Sequence, residues 1–306
     1  MEIIRPGINI DLVGKMKIAF AASLLAIIIS ILSLILHGGP NLGIDFAGGT
    51  LVQIKFSQET STDGIRDALK TIGLGNSVIQ RFGYHDNNEF LIKTEKSSSA
   101  LKGLSNKIEE ALNSSYNNGD FEIRRVEVVG PKVGRDLREK GMLAMLYAII
   151  GILIYVTWRF ELRYAVGAII ALMHDVLITV GVFSLLGKEF TLPIIAALLT
   201  IIGYSLNDTI VVYDRIRENI KGIKKQSLKD IVNSSINQVL SRTVLTSATT
   251  LLVVLALFIF GGAVIHDFAF ALLIGIIVGT YSSIFVASPT ILVWESIRPS
   301  KEKRKK

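Results

Sequence analysis

The chain has 306 residues, of which 50% are hydrophobic and only 19% charged, with a mean hydropathy of +0.49 and no cysteine. That apolarity excludes an ordinary soluble domain of this length, and the missing cysteines exclude a disulfide scaffold, a thiol nucleophile and any Cys-ligated metal site. The formal net charge of +7 does not point to nucleic acid, because many of the basic residues flank apolar runs, as the positive-inside rule expects of a membrane protein.

About 20 helical residues cross a hydrocarbon core of about 30 Å. A basic segment, 1–16, precedes the first such run, Lys17–Leu36. Lys15 and Lys17 give this run the look of a signal peptide, but it is long, and "LILHGGPNLG" after it lacks a small-x-small cleavage site. An uncleaved anchor is the expectation.

Residues 37–140 are polar enough to form a small separate domain. "LVQIKF" reads as a strand, "STDGIRDALKTIG" as a helix, and "SVIQRF" and "EFLIKT" as two strands around the turn "GYHDNN". "SSALKGLSNKIEEALNSSY" reads as a second helix and "FEIRRVEVVG" as a last strand, so the order βαββαβ predicts an α+β ferredoxin-like unit. His85, Asp86, Asp63 and Asp67 are scattered over it without metal-ligand or triad spacing, so a solvated surface is expected rather than a catalytic site. "PKVGRDLREKG" is then a short amphipathic lead-in to the second span.

Five further runs follow: Gly141–Val156, Tyr164–Leu186, Leu192–Tyr213, Val244–Phe260 and Phe268–Trp294. The second span is short, and is expected to begin earlier or to continue through Trp158. The fold class is therefore a polytopic α-helical membrane protein of six transmembrane helices, with one ferredoxin-like domain between the first two. Arg5, Lys15 and Lys17, then Arg159 and Arg163, then the loop 214–243 with Arg215, Arg217, Lys221, Lys224, Lys225 and Lys229, and the basic tail 295–306 all fall on one side of six crossings. The opposite short loops hold only Lys188 in "GKEF" and no basic residue in "GGAVIHD". Both termini are expected in the cytoplasm and the domain 37–140 outside.

The spans contain ionisable groups. Asp175, in "ALMHDVLIT", lies about eleven residues and about 16 Å into the third span, near the midplane. His174 is adjacent, and the two are expected to point in different directions rather than to pair, with His174 a packing residue. Asp208, beside Asn207, lies about five residues or about 7 Å from the inner end of the fourth span, and Arg242 lies at the inner entry of the fifth. Asp208 and Arg242 thus form a candidate pair. Thr243, Thr246, Ser247, Thr249 and Thr250 supply a polar face for a proton path, although such hydroxyls often only bond their own helix backbone. Gly275 and Gly279 permit close helix approach, and His266 and Asp267 are expected to face water in a short loop. A charge at a helix centre costs about 2.5–3.5 kcal/mol even on the mild insertion scale, which favours a functional over a purely structural Asp. With Arg242 close, Asp208 stays ionised; with the arginine withdrawn, the lone carboxylate takes up a proton, and the attraction that held the closed arrangement is gone. One charge falling through about 100 mV yields about 2.3 kcal/mol, enough to bias such an equilibrium roughly fiftyfold.

"LGIDFAGGT" (Leu42–Thr50), "VGPKVG" (Val129–Gly134), "HDV" (His174–Val176), "GYSLNDTIVVYDRIREN" (Gly203–Asn219), "LSRTVLTSATT" (Leu240–Thr250) and "GTYSSIF" (Gly279–Phe285) together resemble the SecF family of the SecD–SecF protein-export complex, over nearly the whole chain. The resemblance implies a non-enzymatic subunit with no cofactor beyond the proton gradient. It would work with SecD to promote export of SecA-dependent preproteins through the SecYEG channel of the inner membrane, with YajC and YidC as further partners. The family's six-helix halves are similar to resistance-nodulation-division transporters. The resemblance also links the Asp of the "ND" block and the Arg of the "RTxxTS" block, here Asp208 and Arg242, to proton conduction, and transfers the role of Asp175 less directly.

Other readings compete. A proton-coupled small-molecule exporter would share the helical core, but the small external domain lacks the bulk of a drug-binding porter region. An intramembrane aspartyl protease would want YD and GxGD motifs at Asp175 and Asp208, and neither sits in one. No G-x-x-x-x-G-K-[ST] loop occurs, which disfavours a nucleotide-driven motor. A passive scaffold would leave Asp208 dispensable.

Overall fold

The computed structural model describes residues 9–82, 88–94, 103–116, 120–222 and 226–297. His85, Asp86, Lys224, Lys225 and most of the tail lie outside the described residues. The chain divides into two compact units, Leu42–Leu143 with Glu189–Leu192, and Met1–Asn41, Ala144–Lys188 and Pro193–Lys306.

The first unit is built on a four-stranded antiparallel sheet. A one-turn helix α2 (Ile44–Ala47) leads into β1 (Gly49–Phe56), followed by α3 (Thr62–Lys70), β2 (Val78–Phe82), β3 (Glu89–Thr94), α4 (Leu104–Ser115) and β4 (Phe121–Val129). The sheet order β2-β3-β1-β4, with every neighbour antiparallel, is the ferredoxin-like arrangement expected from the sequence. Alternation in β1 places Val52, Ile54 and Phe56 on one face, where they meet Phe90 and Ile92 of β3, Ile65 and Leu69 of α3, and Ile108 and Leu112 of α4. Ser61 caps α3 by accepting from the Gly64 N–H at 3.1 Å. Two sequence blocks widely separated along the chain meet here. A Cβ on Gly134 would lie 3.0 Å from the Phe46 carbonyl oxygen, and Gly48, with φ of +77°, faces Pro131, so the "AGGT" and "VGPKVG" blocks need their glycines for each other.

The second unit holds the helices. In chain order these are α1 (Met16–Leu36), the main part of α5 (Pro131–Arg159), α6 (Leu162–Leu185), α7 (Leu192–Gly222), α8 (Leu228–Phe260), α9 (Gly262–Ser282) and α10 (Ser288–Ile297). Among the described residues, six spans are long and apolar enough to cross a membrane, the last formed by α9 and α10 together. The chain is a multi-pass membrane protein.

Three helices run beyond the limits read from hydropathy. The lead-in at Pro131 and the second span are one continuous helix, with proline at its first position where its missing N–H costs nothing. Most of the loop expected over 214–243 is also helical: α7 continues to Gly222 and α8 begins at Leu228, capped by Ser227. Asn219 bridges these two extensions by donating to Ser235 and Gln238, and Asn233 and Asn237 of α8 bind the backbone of Ile10, Leu12 and Val13. The hairpin at Gly261–Gly262 is tight, so His266 and Asp267 sit in the first turns of α9 and not in a loop. Both are half-buried, and Asp267 accepts from Lys188 at 2.5 Å.

The last span is interrupted by a π-helical turn, Ser283–Ala287. Pro289 follows it in α10, and its ring and missing N–H cannot be fitted to the preceding α-helical turn without displacing a carbonyl. Side chains take up the carbonyls there: Ser288 donates to Ser283 at 2.8 Å, and both Tyr213 and Thr290 donate to Ala287.

Candidate functional site

Among the described residues of the helical unit, each of the buried aspartates Asp175 and Asp208 gathers a cluster of polar groups.

Asp208 of α7 is 2% exposed. Ser247 of α8 donates to its Oδ2 at 3.3 Å, and the same Ser247 hydroxyl meets Thr280 of α9 at 2.7 Å and receives Tyr204 of α7 at 3.4 Å. Thr243 lies one turn before Ser247 on the same face of α8 and is buried, its hydroxyl without a partner among the described residues.

Arg242 is not paired with Asp208 in this structure. It is exposed, and no ion pair joins the two among the described residues. The reason is helical geometry. The face of α8 turned to Asp208 carries Thr243 and Ser247, and Arg242 is rotated from Thr243 by about 100°. Asn207 is likewise exposed, pointing away from the cluster that Asp208 enters. Thr246, Thr249 and Thr250 donate to carbonyls of their own helix, so of the expected polar face of α8 only Thr243 and Ser247 are buried with Asp208.

The Asp175 cluster is denser. Asp175 of α6 is fully buried, and Ser205 of α7 and Ser282 of α9 donate to its Oδ2 at 2.6 and 2.8 Å. Its Oδ1 lies 2.9 Å from His174 Nδ1. The expectation that His174 and Asp175 diverge is thus corrected. Adjacent Cβ atoms do diverge on a helix, yet the imidazole and carboxylate are long enough to turn back toward each other. His174 Nε2 reaches Ser23 of α1 at 3.1 Å, and Ser23 in turn lies 3.0 Å from the Tyr281 hydroxyl of α9. Reasoning from sequence missed Ser23, Ser205, Tyr281 and Ser282. The available signal was a serine-rich first span, in which the buried residues are Ala19, Ser23, Ser30 and Ser33.

Small residues bring these helices within reach. A Cβ on Gly279 would lie 3.0 Å from Ser205 Cβ and 3.5 Å from Asp175 Oδ2, and one on Gly275 would overlap Ile201 at 2.3 Å. The Gly275–Gly279 pair is therefore the close approach of α9 to α7. Among the described residues no group of three or more His, Asp or Glu is placed to hold a metal ion.

Comparison with known proteins agrees with this architecture. Residues 107–296 match the family described as protein export membrane protein SecD/SecF, C-terminal, and residues 33–60 match the SecD/SecF GG motif. The chain is 52% identical over 298 residues to the protein translocase subunit SecF of Magnetococcus marinus, covering 96% of this chain and 95% of the relative. It is 47% identical to the SecF of Vibrio alginolyticus, covering 95% and 91% of the two chains. The crystal structure of SecDF, a translocon-associated membrane protein from Thermus thermophilus, superposes with a TM-score of 0.84 at 40% identity. That match covers 95% of this chain but 39% of the SecDF chain. A second SecDF structure, in a super-membrane-facing form, gives a TM-score of 0.72 over 100% of this chain and 41% of the other. Spans, sheet topology, motif blocks and relatives agree: the chain belongs to the SecD/SecF family of protein-export membrane proteins, on its SecF side.

Proposed function

We propose that the chain is the SecF subunit of a protein-export complex, completed by a SecD chain that supplies the rest of what the solved SecDF chain contains. Together the two would use the proton gradient to promote passage of exported proteins through SecYEG, with no cofactor and no enzymatic step. The names of the relatives support the subunit assignment. The distribution of lysine and arginine supports an inner-membrane orientation with both termini cytoplasmic and the ferredoxin-like domain on the outer face.

The observation that carries the reading is Asp208: a carboxylate buried in a membrane-spanning helix, held by one serine hydroxyl, with no cation paired to it among the described residues. Such a group is costly to keep and suits reversible protonation. Arg242 precedes Ser247 on α8 by five residues, about 7.5 Å along the axis, a depth that an arginine side chain spans. A rotation of α8 would exchange the Ser247 hydroxyl for the Arg242 guanidinium at Asp208. Protonation would weaken the second arrangement and favour the first, so that proton flow turns into helix movement. Asp175 has more side-chain partners than Asp208 and is not the group that this rotation serves.

The test is export of a secreted reporter in cells depleted of the native protein and supplied with Asp208→Asn. Precursor should accumulate while the variant is present in the membrane at normal level. Normal export at that level refutes the proton switch and leaves a passive scaffold; a proton-coupled small-molecule exporter would also leave precursor processing untouched.

A further inference from the structure

The hydrogen bonds around His174 fix how many protons the His174–Asp175 pair carries. Tyr281 has one hydroxyl proton and directs it to the Ala19 carbonyl oxygen at 2.6 Å, an atom that can only accept. At 3.0 Å from Ser23, the Tyr281 oxygen must therefore accept, and Ser23 donates its single proton there. That leaves the Ser23 oxygen as the acceptor at 3.1 Å from His174 Nε2, so Nε2 carries a proton. Between Nδ1 and Asp175 Oδ1, 2.9 Å apart, lies one more, on either atom. The pair thus holds two protons and is neutral overall, as an imidazolium with a carboxylate or as an imidazole with a carboxylic acid. Neutrality is also what the surroundings demand. His174 is 4% exposed and Asp175 0%, and among the described residues no lysine or arginine lies within ion-pair distance of either. The titratable groups nearby are Tyr281 from α9 and, on α7, Tyr204 and Asp208 flanking Ser205, both of which hydrogen-bond to Ser247 instead.

Removing one proton changes the tie between helices. His174 then keeps Nδ1–H toward the carboxylate and presents a bare Nε2. Ser23 must turn its proton to that nitrogen, and the Ser23 and Tyr281 oxygens are left facing each other as two acceptors. We infer that His174 and Asp175 together hold one exchangeable proton, and that its loss breaks the Ser23–Tyr281 hydrogen bond, leaving Tyr281 tied to α1 only through the Ala19 carbonyl. The order Ser23–His174–Asp175 is also that of a hydrolytic triad, but here His174 donates to the serine, opposite to a general base. The latch is a second proton site, separate from Asp208, and operates whatever cargo the protein moves.

Two measurements on the full chain in lipid vesicles test it. The sequence has no cysteine, so spin labels at Phe20→Cys on α1 and Val293→Cys on α10, both exposed, report the distance between the first and last spans. Nitrogen NMR of His174, with the other three histidines replaced, reports its ring protons. Raising the pH should strip the Nε2 proton and broaden the distance distribution together. Asp175→Asn should abolish both changes, because its amide can donate to Nδ1 while its oxygen keeps Ser205 and Ser282, imitating the protonated pair. Tyr281→Phe should give the broad distribution at every pH. A bare Nε2 at all pH values, a proton that never leaves while the protein stays folded, or a pH response surviving in Asp175→Asn each overturns the latch. None of these readouts involves export, so they fail or succeed independently of the Asp208 experiment.

Discussion

Asp175 and Asp208 are both buried in membrane-spanning helices, yet the chain satisfies them differently. A carboxylate offers about four acceptor sites. Asp175 meets three side-chain partners from α6, α7 and α9, each within 2.9 Å. Asp208 meets Ser247 at 3.3 Å and no other side-chain donor among the described residues. The first site is complete within this chain and ties helices together. The second is under-satisfied, as the proposed exchange of partners requires. Geometry therefore separates a densely bonded carboxylate from a sparsely bonded one, although both read as "Asp in an apolar run".

The sharpest way to break that comparison is to delete each carboxylate. Asp175→Ala leaves three buried polar partners unsatisfied, at about 1–3 kcal/mol each, whereas Asp208→Ala orphans one long hydrogen bond and should cost about 1 kcal/mol. Thermal unfolding in detergent should show a much larger fall for Asp175→Ala; equal falls would sink the distinction. The shared wall between the clusters comes next. Gly275→Ala forces a methyl into Ile201 and should destabilise by about 1–3 kcal/mol through strained α7–α9 packing, measured the same way. Ser247→Ala removes the donor to Asp208 and the partner of Thr280, for about 0.5–1.5 kcal/mol, and Thr246→Val, exposed and bonded only to its own helix, serves as the unaffected control.

The smallest effect lies outside the membrane, where charge is cheap. The Lys70 ammonium, by hydrogen bond and by charge, holds the Asp67 carboxyl below its usual value of 3.8. A lowered folded-state value contributes stability above the unfolded value, and that contribution is lost as pH falls through the folded one. Asp67→Asn should therefore flatten the acid limb of stability only slightly, since the pair is fully solvated. A large change would show that Asp67 makes contacts beyond Lys70.

Much of this architecture is legible in the sequence because the relevant signals are local. Six apolar runs give six spans, and the alternation in "LVQIKF" and "EFLIKT" gives β1 and β3 with the correct inward faces. Helices α5, α7 and α8 outrun their apolar runs, since hydropathy stops where water begins while backbone hydrogen bonding continues along a polar helix. Position along a helix follows from about 1.5 Å of rise per residue, so the spacing of Asp175, Asp208 and Arg242 along their own helices is legible in the sequence. Azimuth and neighbours were not. Only packing turned Thr243 and Ser247, rather than Arg242, toward Asp208, and only packing brought Ser23 to Tyr281 across 258 residues. The composition of a helix fixes that it inserts; which of its faces meets which neighbour depends on small residues such as Gly275 and Gly279, whose effect exists only once Ile201 and Ser205 stand opposite them.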